Sequence, residues 1–295
     1  MPAILHGPFV AYQPQARQGV RKSWTTARKG TVLPHPEACN DAALEQMSAG
    51  ESKLLARKRY SSGMKEVPVS VDLRKRIVDL SKKAAFAANK HGIEGQRRAQ
   101  VVLVLDISAS MNALYQSGVI QRAIERILGL AVAFDDDGQI DLLLFGTNAY
   151  PLPAVTLEEI AGYVERVILA RYKIREATNY APPLRLLREK YRAPQPAPAF
   201  VIFLTDGGNA DRSATTEVIR ELSRQPVFVQ FVGIGKEDFP FLRKLDELPG
   251  RLIDNAGFMQ VNDLDQIKDA ELYDRLLNEF PRWLEKAREK AILDI

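Results

Sequence analysis

The sequence predicts an α/β protein: a doubly wound, mostly parallel sheet flanked by helices, preceded by a basic, partly disordered extension. Three observations carry this. The chain has 295 residues, 46% hydrophobic and 26% charged, which suits a soluble globular protein with a core of domain size. Runs such as VVLVL (101–105) and FVIFL (200–204) are apolar at every residue. Strands of that kind are covered on both faces, as in a parallel sheet. From residue 100 onward these runs alternate with amphipathic helical patterns, the signature of repeated strand–helix units.

Residues 1–66 read as a basic, proline-containing extension, partly disordered, with short helices expected over 41–60 on either side of Gly50. Residues 67–99 are a lead-in to the core. Leu73, Ile77, Leu80, Ala84 and Ala88 have helical spacing, and Gly92 ends the pattern. Val67, Val69, Val71 and Leu73 also alternate, which leaves a strand open over 67–73. The core domain spans 100–268. Its strands are expected at 99–108, 139–146, 199–208 and 226–235, with a short edge strand within 251–263. Its helices are expected at 118–134, 157–170, 180–192, 215–224 and 240–248. The prolines of YAPPL fall in a first helical turn, where they are tolerated. A last helix within 269–295 packs on the core, bent or broken near Pro281. No repeat of fixed period is visible.

Charge is unevenly distributed. Residues 1–100 carry 18 Lys/Arg against 8 Asp/Glu, and the remainder 23 against 29. A basic arm beside an acidic body suits a contact with nucleic acid or an anionic membrane surface, or packing of the arm on the body itself. No run of 18 apolar residues is present, the length a membrane-spanning helix needs. The first residues lack a basic segment followed by an apolar core, so no signal peptide is expected. Cys39 is the single cysteine, which excludes an internal disulfide and fits a cytoplasmic location. His6, His35 and His91 form no HxxxH pair and no CxxC is present, which argues against zinc.

The chemistry lies where strands end. In an open parallel sheet, ligands bind beyond the C-terminal ends of the strands at the switch point. Asp106 ends the first apolar strand and Asp206 another, so both carboxylates emerge on one edge. Two ionised carboxylates brought together need a cation or a shared proton. Ser108 and Ser110 follow Asp106 at alternate positions, which point the same way in an extended segment. Thr178 and Asn179 precede a helix between the strands at 139–146 and 199–208, and that hydroxyl reaches the same edge. An all-oxygen set suits a hard cation, Mg²⁺ or Mn²⁺.

DISAS after a buried strand, ATN before a helix and LTDG at a strand end occur in this order. The combination resembles the von Willebrand factor A domain with its metal-ion-dependent adhesion site, over residues 100 to about 265. The resemblance implies that Ser108 and Ser110 ligate the metal directly, and Thr178 directly or through water. It implies that Asp106 and Asp206 hold metal-bound waters, and that an Asp or Glu carboxylate of a protein partner fills the remaining position. Two departures stand out. Ala109 occupies the glycine of D-x-S-G-S, and Glu176-Ala177 stand where glycine often precedes the threonine. Tyr115, Glu125-Arg126 and Asp135-Asp136-Asp137-Gly138 further resemble the TerF-like subgroup associated with bacterial tellurium-resistance clusters. That subgroup implies a cytoplasmic stress-response role beside other proteins of such a cluster.

Competing readings rest on single features. A Mg²⁺-dependent phosphotransferase of the haloacid-dehalogenase type also places an Asp after its first strand. It needs a second Asp two residues on as general acid/base, and here Ser108 stands there. The expectation is therefore a non-enzymatic interaction module without a small-molecule substrate. FDDDGQID lacks two essential ligands of a calcium loop and reads as a solvated turn. GIGKED lacks phosphate-loop spacing, and G-x-S-x-G is absent.

Overall fold

The computed structural model describes residues 68–93, 99–134, 138–192 and 197–293. The expectations for residues 1–66, for Cys39, and for the Asp135–Asp137 part of the acidic turn lie outside the described residues.

Ser70 decides the first element. Its hydroxyl accepts the Leu73 N–H at 3.1 Å and caps helix α1 (Val71–Lys90). Among the described residues, the strand left open over 67–73 is not formed: Val71 and Leu73 lie in the capped helix and Val69 just before it. Ile77, Leu80, Ala84, Ala87 and Ala88 make its buried face.

Six strands follow: β1 (Gln100–Asp106), β2 (Ile140–Phe145), β3 (Ala149–Pro151), β4 (Ala199–Thr205), β5 (Val227–Ile234) and β6 (Ala256–Val261). They form one sheet in the order β3-β2-β1-β4-β5-β6. All pairs are parallel except β2 with β3. The order reverses direction at β1, so the switch point lies between β1 and β4. Successive residues of β1 enter different cores. Val101, Leu103 and Leu105 pack on one face, Val102 and Val104 on the other. This is why the strand reads as continuously apolar.

A 3₁₀ turn (Ala109–Met111) and helix α2 (Asn112–Gln116) lead from β1 into α3 (Val119–Phe134). The remaining helices are α4 (Ala181–Lys190), α5 (Arg212–Leu222), α6 (Pro240–Asp246), α7 (Asp269–Leu276) and α8 (Phe280–Glu289). The expected terminal helix is broken as its proline requires, with Pro281 in the first turn of α8. The expected helix at 157–170 is not α-helical. Residues 164–169 form a π-turn, and Gly162 interrupts the segment at φ +59°. Side chains take the groups a helix would pair: Arg166 donates to the Glu159 and Ala161 carbonyls, and Gln121 bonds Ile160 O and Val164 N.

α1 crosses α3 at Gly129. A Cβ there would lie 2.6 Å from Leu80 Cβ and 3.1 Å from the Tyr273 hydroxyl, which itself donates to Arg126 O at 2.8 Å. Gly129→Ala should therefore destabilise the fold by about 1–3 kcal/mol through overpacking, despite alanine's better helix propensity. Thermal denaturation checks this; a melting temperature equal to or above wild type would contradict the close crossing.

Candidate metal centre

Asp106 is the last residue of β1 and has no exposed surface. Its Oδ1 accepts the Ser108 backbone N–H at 2.7 Å, and its Oδ2 accepts the Thr205 hydroxyl at 2.6 Å. Its backbone carbonyl accepts the buried Tyr115 hydroxyl at 2.9 Å. One residue thus ties the end of β1 to the end of β4 and to α2. Ser108 is extended (φ −67°, ψ 163°), so the chain leaves the strand without turning until the 3₁₀ turn at Ala109. Glycine is not needed at Ala109, which has no positive φ. It is needed at Gly207, where φ is +134°.

The second loop is stitched alongside. Glu176 N donates to Ile107 O at 3.2 Å and forms a parallel bridge with Ser108. Asn179 N donates to Gly146 O at 2.9 Å, and Ala210 N to Thr178 O at 3.0 Å. The Glu176 carboxylate accepts Thr147 N–H and the Tyr150 hydroxyl, both at 2.8 Å. Gly146 permits this, since a Cβ there would lie 2.4 Å from Glu176 Cβ. Glutamate before the threonine pair is therefore accommodated by a glycine 30 residues upstream in sequence.

The expected site residues come to one edge of the sheet. Ser108 Oγ and Ser110 Oγ are 3.2 Å apart, and Ser110 donates to Asp206 Oδ1 at 2.9 Å. Asp106, Ser108, Ser110 and Asp206 are thus one hydrogen-bonded chain. Thr178 Oγ1 lies beside the Gly207–Gly208 turn, 3.8 Å from where a Gly208 Cβ would stand. Among the described residues no hydrogen bond joins it to the other four. Asn179 faces away, its amide donating to Thr147 O at 3.1 Å.

Three supports were not singled out from sequence. Thr205 is a buried hydroxyl at the end of an otherwise apolar strand, which was the available signal. Tyr180 lies 3.3 Å from Thr205 Oγ1 and donates to Gly207 O at 3.1 Å. Asp211 accepts the N–H groups of Tyr180 and Ala181, both at 2.9 Å, at the start of α4. A carboxylate is favoured at that helix end.

Burial, opposed by the Thr205 and Ser108 hydrogen bonds and assisted by the Asp206 charge, raises the Asp106 carboxyl to about 6. Burial likewise raises Asp206, opposed by the Ser110 bond. Among the described residues no Lys, Arg or His forms an ion pair with either carboxylate. Two acids that are costly to ionise, three hydroxyls and no cation make an all-oxygen donor set of the kind a hard divalent ion takes. Ser108, Ser110, Thr178, Asp106 and Asp206 are the residues that could hold it.

Residues 98–293 match the model of the vWA-TerF-like family, described as the vWA found in the TerF C terminus. The uncharacterized protein YcbR of Bacillus subtilis (strain 168) is 41% identical over 220 residues, covering 73% of this chain and 90% of that one. Among solved structures, the SpRpn10 VWA domain is 11% identical with a TM-score of 0.46, covering 62% of this chain and 95% of its own. Proximal thread matrix protein 1 of the mussel byssus, solved with a zinc-occupied MIDAS motif, is 17% identical with a TM-score of 0.46. The match covers 65% of this chain and 49% of that one, so about half its length.

The raised Asp106 gives a signed expectation. Its folded value exceeds 3.8, so its contribution to stability is complete below about 4 and lost as pH rises through about 6. The loss amounts to about 3 kcal/mol in metal-free protein. Asn keeps one acceptor oxygen where Asp106 uses two, a loss present at every pH, but only wild type must ionise a buried carboxyl. In chelator, the melting temperature of Asp106→Asn relative to wild type should therefore rise between pH 4 and pH 7.5. Scanning calorimetry at the two pH values checks this; a difference that is unchanged or falls would contradict it.

Proposed function

The chain belongs to the vWA family in its TerF-like form, and on that footing we propose that it is a metal-dependent protein-binding module. Mg²⁺ or Mn²⁺ is held by Ser108, Ser110 and Thr178, with Asp106 and Asp206 holding metal-bound water. A carboxylate from an Asp or Glu of a protein partner completes the coordination. The single observation that carries this reading is the pair Asp106 and Asp206, brought to one strand-end edge with hydroxyls around them and, among the described residues, no cationic side chain paired with them.

The chemistry favours bridging over catalysis. Neutral hydroxyls donate little charge to a divalent ion, so the ion keeps a strong demand for an anionic ligand. No general base stands two residues after Asp106; Ser108 is there, at 3.2 Å from Ser110. Tyr115 and Tyr180 are buried and their phenols are pushed up by burial, so neither is suited to exchange protons at neutral pH. Both hold backbone carbonyls and brace the loops.

In this reading the partner belongs with the proteins of a tellurium-resistance cluster and the setting is a cytoplasmic stress response. The family name and the absence of cysteine pairs support that setting. Among the described residues no helix is long and apolar enough to cross a membrane.

Isothermal titration of Mg²⁺ or Mn²⁺ tests the reading. Wild type should bind one ion. Asp106→Asn and Asp206→Ala should abolish binding, and Ser110→Ala should weaken it at least about tenfold, the usual scale for losing part of a metal site's support. Thermal melting of each variant in chelator separates loss of binding from unfolding. Equal heats for wild type and Asp106→Asn would contradict the proposal.

A further inference from the structure

The segment 171–177 runs beside the site with a strict alternation. Arg171, Lys173, Arg175 and Ala177 are exposed; Ile174 is buried, and Tyr172 and Glu176 are partly covered. The inward residues fix this register. The Tyr172 ring lies 5.4 Å from Tyr150, Ile174 enters the core, and Glu176 accepts from Thr147 and Tyr150. The outward residues therefore form one basic ridge, which is no straight strand: the chain bends at Ile174, where Arg175 N donates to Lys173 O at 3.0 Å. Among the described residues neither Lys173 nor Arg175 has an ion-pair partner. A solvated charged face is the ordinary state of exposed lysines, but here position adds meaning. Glu176 forms the bridge with Ser108, and Thr178 ends the same segment. At about 3.3 Å per extended residue, Arg175 stands roughly 10 Å along the backbone from Thr178.

The opposite side of the edge has a different charge. Beyond β5, the exposed stretch Lys236-Glu237-Asp238 carries two acids and one base, and Asp238 lies 3.7 Å from Arg243. The sheet order places the ridge on the β2 side of the β1–β4 switch point and this stretch on the β5 side. The field across the site is therefore asymmetric. It favours negative charge over residues 171–175 and not over 236–238.

We propose that the basic ridge selects the partner: the carboxylate given to the metal lies in a run of acidic residues, which extends from the site across Arg175, Lys173 and Arg171. This rests on the metal-bridge reading and adds to it the class of partner and the direction of its chain. A partner with an isolated carboxylate meets the metal alone. One with consecutive Asp and Glu meets the metal and the ridge together, and gains affinity and association rate that fall as salt rises.

Fluorescence anisotropy at low salt and saturating Mn²⁺ tests it with two labelled peptides, one with a single Glu among Gly and Ser, the other with a run of consecutive Asp and Glu. Wild type should bind the acidic run at least about tenfold tighter, and Lys173→Glu/Arg175→Glu should remove that advantage. Affinity for the single-Glu peptide and for Mn²⁺ itself, read by calorimetry, should not change. If charge reversal disturbs folding, Lys173→Gln/Arg175→Gln should show the same loss at smaller size. Retention of the advantage in both double variants would overturn the inference. So would tighter, metal-independent binding of a single-stranded oligonucleotide to the ridge. A wild type that binds no Mn²⁺ fails the metal-bridge reading; one that binds Mn²⁺ but does not discriminate the peptides fails this inference alone.

Discussion

The carboxylate of Asp106 carries the geometry on which the strand-end edge depends. It has no exposed surface, yet both oxygens accept hydrogen bonds, one from the backbone two residues ahead and one from Thr205 across the switch point. The Thr205 bond joins residues 99 apart in sequence, and the Ser108 bond fixes the start of the loop that leaves β1. β1 and β4 are paired along their length, and the Thr205 bond adds the side-chain tie between their last residues, just before Asp206; the Ser108 bond holds the first loop against the same carboxylate. A buried carboxylate is costly to ionise, so the arrangement stores an electrostatic cost that a bound cation would relieve. Stability and ion binding are thus set against each other at one residue, as is common where a site is built for a ligand.

Around that carboxylate the structure uses aromatic hydroxyls as struts. Tyr115 comes from α2 and holds the Asp106 carbonyl, while Tyr180 precedes α4 and holds Gly207. The Tyr180 ring also packs on Phe145 and Phe203, with centroids 5.7 and 5.0 Å apart. The loops are therefore mounted on the aromatic core of the second sheet face. Asp211 completes the frame by capping α4 from the start of α5. Loop positions near a site are more precise when their supports are packed side chains than when they rest on turns alone.

Most of the fold was legible because the strands of a doubly covered sheet are apolar at nearly every position, a lone Gln230 in β5 not breaking the run. β1, β4 and β5 were readable from apolar runs, and the break before α8 from Pro281. β3 was not, since three residues ending in a proline give no period to read. The apolar spacing of 157–170 is helical, and the sequence does not show that Gln121 and Arg166 take the Ile160 and Ala161 carbonyls ahead of the π-turn. In the site, Asp106, Ser108, Ser110, Thr178 and Asp206 were nameable from strand ends and loop order. The supports were not, because Thr205, Tyr180 and Asp211 acquire meaning only through partners 25 to 99 residues away. Glu176 was visible as a departure, but the glycine that makes room for it was not.

Anomalous diffraction at the manganese absorption edge, from crystals grown or soaked in Mn²⁺, would locate the ion. A metal centre built on Asp106 should give one anomalous peak at the strand-end edge, in contact with the Ser108 and Ser110 hydroxyls and facing Thr178, Asp106 and Asp206. A saturated crystal with no peak there, or with its manganese elsewhere and the Ser110–Asp206 hydrogen bond intact, would contradict it.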